Sequence, residues 1–138
     1  MKVVVNKCYG GFGLSHEAVE LYARLKEITL YAYVDKREKD GSLSFGKLVQ
    51  YKGQKNIFCI HYLTERSNED GTYRDEAYFS VHGIERNDPA PVSVVEELGE
   101  RANGLHANLV VVDIPDDVKW FIGDYDGVET IHENHRVW

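Results

Sequence analysis

Three glycines follow the first predicted strand, and of all the residues in this chain they point most directly to chemistry. The strand is the β-branched segment Lys2–Asn6, and Gly10, Gly11 and Gly13 separate it from Ser15, where a helical pattern begins. Glycine lets the backbone take a positive φ and approach another group closely, and the free N–H groups at a helix start attract anions. The turn therefore predicts an anion site suited to a phosphate group, with a purely structural tight turn as the alternative.

The segment around this turn has the layout of a dinucleotide-binding unit. A second predicted strand follows the helix and ends at Asp35, an acid in the place where such units hold a ribose. The glycine spacing departs from that motif, because a frame that starts at Gly11 and Gly13 puts its third glycine at His16. Lys7 and His16 flank the turn and favour a phosphate or ribose contact, while the structural turn stays open as an alternative.

The cysteines and the histidines near the end of the chain give weaker indications. Cys8 and Cys59 have no CxxC spacing, so we expect two reduced thiols, with Cys8 as a small packed residue and Cys59 in the core of a strand. An activated Cys8 thiolate beside the helix start is the alternative. His132 and His135 are three residues apart, whereas a zinc-binding helix needs a spacing of four. We therefore expect no metal site and no cofactor.

Charged residues in turns provide the remaining candidates. Arg86 and Asn87 precede a predicted helix, and Arg86 is free in this interpretation to reach a phosphate. Carboxylates in turns are usually solvated, and their spacing assigns no acid–base catalytic pair. These acidic residues are Asp113, Asp116, Asp117, Asp124 and Asp126.

The predicted elements place these residues on a small framework that begins β-α-β. A helix over His16–Lys26 leads to a strand over Ile28–Val34, and a second helix runs from Pro91 past Gly99 to a stop at 103–104. The pattern predicts an α/β domain of α+β-like character, with two main helices and a mixed, mostly antiparallel sheet. Its other predicted strands are Lys47–Tyr51, Asn56–Leu63, Ala77–Ile84, Ala107–Ile114, Val118–Ile122 and Val128–Ile131.

Composition limits the partners that this chain can have. Its 138 residues predict one domain, 1–138, with a charged and variable insert at 36–80. The formal net charge of −7 argues against binding to duplex nucleic acid, because phosphate neutralisation needs a basic face. No apolar run approaches the roughly 20 residues of a membrane span, and no signal peptide is recognisable. We expect a cytoplasmic protein without membrane contact.

Both ends of the chain resemble a family of small phage and prophage proteins of Gram-positive bacteria. The resemblance skips the predicted insert, 36–80, and it implies provenance more than chemistry. It rests on the segments Lys2–Ser15, Arg86–Pro89, Val94–Gly99, Ala102–Gly104, Val112–Val118, Asp124–Gly127 and Ile131–Trp138.

Small phage proteins with a compact fold and no evident catalytic set are often inhibitors, and one class of them is similar to sponges, which are oligomers that sequester nucleotide signals of bacterial immune systems. By this analogy we expect a phage-encoded homo-oligomer in the host cytoplasm that binds a cyclic ADP-ribose-type signal or a cyclic oligonucleotide without cleaving it. A small nucleotide hydrolase, with His132, His135 or an aspartate as base, is one alternative, and a protein–protein inhibitor with an acidic surface is another. The expected ligand contacts are Lys7, Tyr9, Gly10, Gly11, Phe12, Gly13, Ser15, Arg86, Asn87, Arg136 and Trp138.

Overall fold

The structure is a computed structural model, and it describes residues 1–55, 57 and 59–134. The chain divides into two compact units: unit 1 combines Met1–Lys26 with Val81–Trp138, and unit 2 is Glu27–Ser80. The predicted insert at 36–80 falls inside unit 2, and its variability stays a prediction. The elements in the described residues are β1 (Lys2–Asn6), α1 (His16–Lys26), β2 (Tyr31–Arg37), β3 (Leu43–Gln50), β4 (His61–Leu63), β5 (Tyr78–Phe79), α2 (Pro89–Leu98), β6 (Leu109–Asp113), β7 (Trp120–Tyr125) and β8 (Val128–Glu133).

Unit 1 is built on a central strand that is apolar on both faces. Val3, Val4 and Val5 of β1 have no exposed surface, because the strand pairs with β6 and packs against α2 and β8. The register is antiparallel, with Val4 opposite Val111. The two helices pack against each other, and β7 and β8 form an antiparallel hairpin. Burying an uninterrupted valine run in this way is the main apolar contribution to the stability of the unit.

Local interactions explain where the second helix begins and where it ends. Asp88 is its N-cap, since the side-chain carboxylate accepts a hydrogen bond of 2.9 Å from the Ala90 N–H, and Pro89 occupies the first turn. Gly99 ends the helix with a φ of 58°. The α-helix thus ends earlier than predicted, because a glycine with a positive φ is a helix stop, and a 3-10 turn over Gly99–Ala102 continues to the predicted stop at 103–104.

Unit 2 is a four-stranded antiparallel sheet in the order β3-β2-β4-β5. Its core is small and consists of Tyr33, Leu48 and Leu63, with Tyr31 and Tyr73 packed against it. The β2–β3 pairing shifts its register between Asp35 and Lys36. This sheet therefore depends on a few aromatic and aliphatic side chains, where unit 1 has a continuous buried strand.

The predicted fold class is confirmed, with two helices, mostly antiparallel strands and a β-α-β start. The strands are distributed over three sheets, and every strand pair that the described residues form is antiparallel. β1 and β2 belong to different sheets, so the parallel crossover of a dinucleotide-binding unit is not formed by these two strands.

Some local predictions are wrong. The strand expected over Ala77–Ile84 is reduced to Tyr78–Phe79 between two short 3-10 turns, because only these residues find a partner strand in β4. Cys59 is exposed and precedes β4, so it is not a core residue. The second strand is Tyr31–Arg37 rather than Ile28–Val34. No helix in the described part of the chain is long and apolar enough to cross a membrane.

Candidate functional site

The glycine turn of unit 1 packs closely against two other segments. Gly10 has a φ of 121°, and a side chain there would place its Cβ 2.6 Å from the Cβ of His106. A Cβ on Gly127, in the turn between β7 and β8, would lie 2.7 Å from the nitrogen of Gly10 and still closer to that of Gly11. Real Cβ atoms do not approach other atoms so closely. Close backbone packing therefore explains these glycines without a ligand, in agreement with the structural alternative.

A buried asparagine holds this packing together. Asn6 is completely buried, and its amide nitrogen donates hydrogen bonds of 2.7 Å to the carbonyl oxygens of Cys8 and Gly127. Its amide oxygen accepts from the N–H groups of Cys8, at 3.3 Å, and Asn108, at 2.8 Å. Asn6 thus joins the end of β1 to the hairpin turn and to the loop before β6. The β-strand propensity of its neighbours gave no indication of this role.

Ser15 acts as the N-cap of α1. Its hydroxyl donates a hydrogen bond of 2.6 Å to the carbonyl oxygen of Arg101 and accepts one of 3.1 Å from the N–H of Ala18. Gly13 is held beside the same segment, because its carbonyl oxygen accepts from the N–H of Gly104 at 2.9 Å. The hydroxyl proposed for phosphate already has a donor and an acceptor within unit 1.

Arg86 forms a buried ion pair. Its Nη1 and Nη2 donate to the two carboxylate oxygens of Glu129 at 2.6 and 2.9 Å, and its guanidinium lies 3.5 Å from the ring centre of Phe12. The side chains of Arg86 and Glu129 are only 14% and 6% exposed. The carboxylate also accepts from the Asn6 N–H at 2.8 Å. A phosphate contact by Arg86 would leave Glu129 buried without its cation, which is costly.

A groove of about 440 Å³ lies in unit 1 between the β6 segment and the β7–β8 hairpin. We call it the Lys7 groove. Its walls are mostly aliphatic, with Ile114 among them, and Trp120 is the aromatic residue that lines it. The polar residues along it are Lys7, Thr130 and Glu133, of which Thr130 lies on the opposite face of the hairpin from Trp120 and Glu133. Its volume lies in the range of roughly 300–1,000 Å³ that small-ligand sites occupy.

Lys7 is the predicted contact residue that lies in this groove. Its Nζ donates one hydrogen bond of 2.9 Å to the carbonyl oxygen of Glu129, which fixes the side chain across the strand end. An ammonium group has three donors, and the described residues occupy one of them through this hydrogen bond. Trp120 was not singled out from the sequence, because a tryptophan within an apolar strand pattern is typical of a core residue.

The other predicted contacts are distributed around unit 1. Asn87 and Arg86 line a second, more open cleft of about 480 Å³ that also includes Trp120. Tyr9 is exposed, with 64% of its surface accessible. Arg136 and Trp138, together with His135, lie outside the described residues. The structure thus brings Lys7, Arg86 and Asn87 to clefts that share one tryptophan, whereas Ser15 and Gly10 have structural roles.

His132, a candidate base, lies on the face of the hairpin that points away from Trp120. Its ring stacks on Phe121 with 5.1 Å between the ring centres, and its Nε2 is 2.7 Å from the hydroxyl of Thr130. Successive residues of a strand point to opposite faces, so Phe121 and Trp120 face opposite sides. Asp124, a candidate acid, accepts a hydrogen bond of 2.8 Å from the Gly127 N–H and so stabilises the turn.

Comparisons of this chain with protein-family models, curated proteins and solved structures found no match.

Proposed function

We propose that this protein binds a nucleotide in the Lys7 groove and sequesters it without cleaving it. The resemblance to small phage and prophage proteins suggests the setting, in which the ligand is a bacterial immune signal of the cyclic ADP-ribose or cyclic oligonucleotide type and the protein is a homo-oligomer in the host cytoplasm. One observation carries the proposal: Trp120 and the Lys7 ammonium line the same groove of small-ligand size.

The groove matches the parts of a nucleotide. An indole offers a flat apolar surface on which a base stacks, which contributes about 1–3 kcal/mol per base in nucleic-acid sites. Lys7 supplies the positive charge for a phosphate, while the Glu133 carboxylate can accept hydrogen bonds from amino or ribose hydroxyl groups. Because Glu133 repels a phosphate, we expect the phosphate near Lys7 and the base or ribose near Glu133.

The buried pair gives Arg86 a different role from the predicted one. Arg86 fixes the Glu129 side chain, and the carbonyl oxygen of Glu129 accepts the Lys7 hydrogen bond. In this proposal Arg86 is a positioning residue, since it orients the strand segment that holds Lys7, and the ligand contact itself is made by the lysine.

The groove favours binding over hydrolysis. Glu133 is the one carboxylate among its described lining residues, and His132 projects from the opposite face of the hairpin. A general acid–base pair needs two titratable groups within hydrogen-bond reach of the bond to be cleaved. The described lining therefore supports the sponge alternative over the hydrolase.

Thermal unfolding with a panel of ADP-ribose derivatives and cyclic di- and trinucleotides tests this proposal. A ligand at 100 times its Kd stabilises the folded protein by about 2.7 kcal/mol. We expect Lys7→Ala and Trp120→Leu to abolish the shift. The controls are Lys119→Ala and Phe121→Leu, at the two exposed positions next to Trp120 in the sequence, and they should leave the shift unchanged. Denaturing the complex should release the ligand intact.

Other outcomes distinguish the alternatives. Steady conversion of the ligand identifies a hydrolase. If no member of the panel shifts the unfolding temperature, the nucleotide proposal is wrong, and the acidic surface becomes the place to look for a protein partner. A shift that survives both groove variants would place the ligand elsewhere in the chain.

A further inference from the structure

Three side chains with different metal-binding atoms converge in unit 2. The Oδ2 of Asp35 lies 3.1 Å from the Nε2 of His61, and the Sγ of Cys59 lies 3.5 Å from the same nitrogen. One ligand atom from each residue lies within 4.8 Å of the others. A carboxylate, a thiol and an imidazole thus share one small volume.

The sheet register explains why these residues meet. β2 and β4 are antiparallel neighbours with Tyr33 opposite His61, so continuing that register places Asp35 opposite Cys59. Residues two apart on a strand share a face. The Asp35 side chain is 9% exposed and that of His61 18% exposed, while Cys59 is at the surface. The cluster is therefore formed by the backbone pairing and is open to solvent on the side of Cys59.

The geometry does not fit a nucleophilic relay. In a cysteine–histidine–aspartate relay the thiol contacts one ring nitrogen and the carboxylate the other. Here both approach the Nε2 of His61, and the Nδ1 is 2.9 Å from the hydroxyl of Tyr78. One nitrogen carries at most one hydrogen, so it cannot serve both groups well as a donor. A cation bound by its lone pair would satisfy both at once.

We propose that Asp35, Cys59 and His61 form a Zn²⁺ site with one open coordination position. Tetrahedral zinc ligands at about 2.0–2.3 Å from the metal are separated by roughly 3.4 Å for an N/O pair and 3.6 Å for an S/N pair. The observed separations are 3.1 and 3.5 Å. Two edges of the coordination tetrahedron thus already have about the required length, and the third, between the ligand atoms of Asp35 and Cys59, is within 4.8 Å.

The surroundings of the cluster support zinc over other cations. A thiolate and an imidazole disfavour Mg²⁺ and Ca²⁺, which prefer oxygen ligands, and three protein ligands are typical of open zinc sites. Tyr78 would hold the N–H of His61 Nδ1 and so fix the ring in its metal-binding orientation. Asp35 and Cys59 also line a cavity of about 220 Å³, which gives the fourth position room for water or a small ligand.

Metal titration of the whole chain tests the site. The protein is stripped with a chelator and loaded with Zn²⁺ or Co²⁺, and we expect one ion per chain. The Co²⁺ form should show a thiolate-to-metal charge-transfer band and the strong visible absorption of tetrahedral cobalt. Cys59→Ser should remove the charge-transfer band and His61→Ala should abolish binding. Cys8→Ser, which changes the only other cysteine, should alter neither.

A second variant separates the metal role from a structural one. Tyr78→Phe keeps every ligand and should weaken Zn²⁺ binding by about 10-fold or more, as losses of such supporting hydrogen bonds do. Bound Zn²⁺ should also protect Cys59, and not Cys8, from thiol reagents. A wild-type protein that binds no metal, a Co²⁺ spectrum without the thiolate band, or a band that disappears in Cys8→Ser would overturn the proposal.

Discussion

Two arginine–glutamate pairs of the same two-pronged geometry lie in very different surroundings in the two units. In unit 1, Arg86 and Glu129 are joined by hydrogen bonds of 2.6 and 2.9 Å and have 14% and 6% of their side chains exposed. In unit 2, Arg74 and Glu65 are joined at 2.6 and 2.8 Å with 67% and 42% exposed. Both contacts are bidentate, through Nη1 and Nη2 of Arg86 and through Nε and Nη2 of Arg74, and they differ most in the access of water.

The two pairs differ in what remains when one partner is lost. The unit 1 pair is mostly buried and connected to Asn6 and Phe12, so losing one partner leaves an ion in a place that water reaches poorly. The unit 2 pair remains solvated, so each ion can exchange its partner for water. We therefore expect the Arg86–Glu129 pair to stabilise unit 1 more than the Arg74–Glu65 pair stabilises unit 2.

Removing the buried carboxylate should have the largest effect. We expect Glu129→Ala to lower the free energy of unfolding by about 3–5 kcal/mol, because the Arg86 guanidinium stays buried without a counter-ion. Urea denaturation followed by the fluorescence of Trp120 measures the change. Glu133→Ala, an exposed glutamate of the same strand, is the matched control and should have little effect. A loss below about 1 kcal/mol in Glu129→Ala would contradict the contrast between the two pairs.

The buried asparagine should come next. Asn6→Ala removes two donated and two accepted hydrogen bonds to part-buried backbone groups, and we expect it to lower the free energy of unfolding by about 1–3 kcal/mol in total, because some of these groups regain water. We expect the hairpin turn at Gly127 to loosen, with faster amide hydrogen exchange there. Asn87→Ala, at an exposed position, is the control. Unchanged exchange at Gly127 would show that the turn is held by other contacts.

The contrast also explains which features the sequence could predict. β1 and α1 were predicted with their observed boundaries, because a valine run and a capped amphipathic segment are local signals. The Arg86–Glu129 pair joins residues 43 positions apart, and Asn6 reaches 121 positions along the chain to Gly127. Such partners depend on tertiary packing, so Arg86 was expected to be free for a phosphate.

The same limit applies to the metal cluster. On the sequence, the expected zinc spacing is that of a helix, which His132 and His135 do not have. The cluster instead joins Asp35 to His61 on a neighbouring strand and to Cys59 just before that strand. Cys59 and His61 are two apart, which is a spacing that puts both on one face of a strand. The spacing of these two residues is visible in the sequence, but Asp35 joins them only through the pairing of β2 with β4.

Substitutions of Asp88, the N-cap of α2, should have a smaller effect on the free energy of unfolding, and this effect should depend on pH. Hydrogen bonds from Lys26, at 2.7 Å, and from the Ala90 N–H lower the pKa of Asp88 below its usual 3.8. A carboxylate with a lowered folded-state pKa adds stability above the unfolded pKa and loses it as the pH falls through the folded one. We therefore expect Asp88→Ala to cost about 1 kcal/mol near pH 7. Asp88→Asn, which keeps the cap, should differ from wild type near neutral pH and converge with it in strong acid. A constant difference in acid denaturation curves would show that the charge contributes nothing.

Removing the exposed Arg74–Glu65 pair should have the smallest effect on stability, because both ions are solvated. Glu65→Ala should slightly increase hydrogen exchange in the 65–74 segment of unit 2, and about 1 M salt should remove the difference, because solvated ion pairs are screened. The Arg74 hydrogen bond lowers the pKa of Glu65 from its usual 4.5. The stability that the ion pair contributes should therefore fade as the pH falls below about 4.5 and through the lower pKa of the folded state. Glu69→Ala, at an exposed position nearby, is the control. A salt-independent loss as large as that of Glu129→Ala would mean that access of water does not distinguish the two pairs.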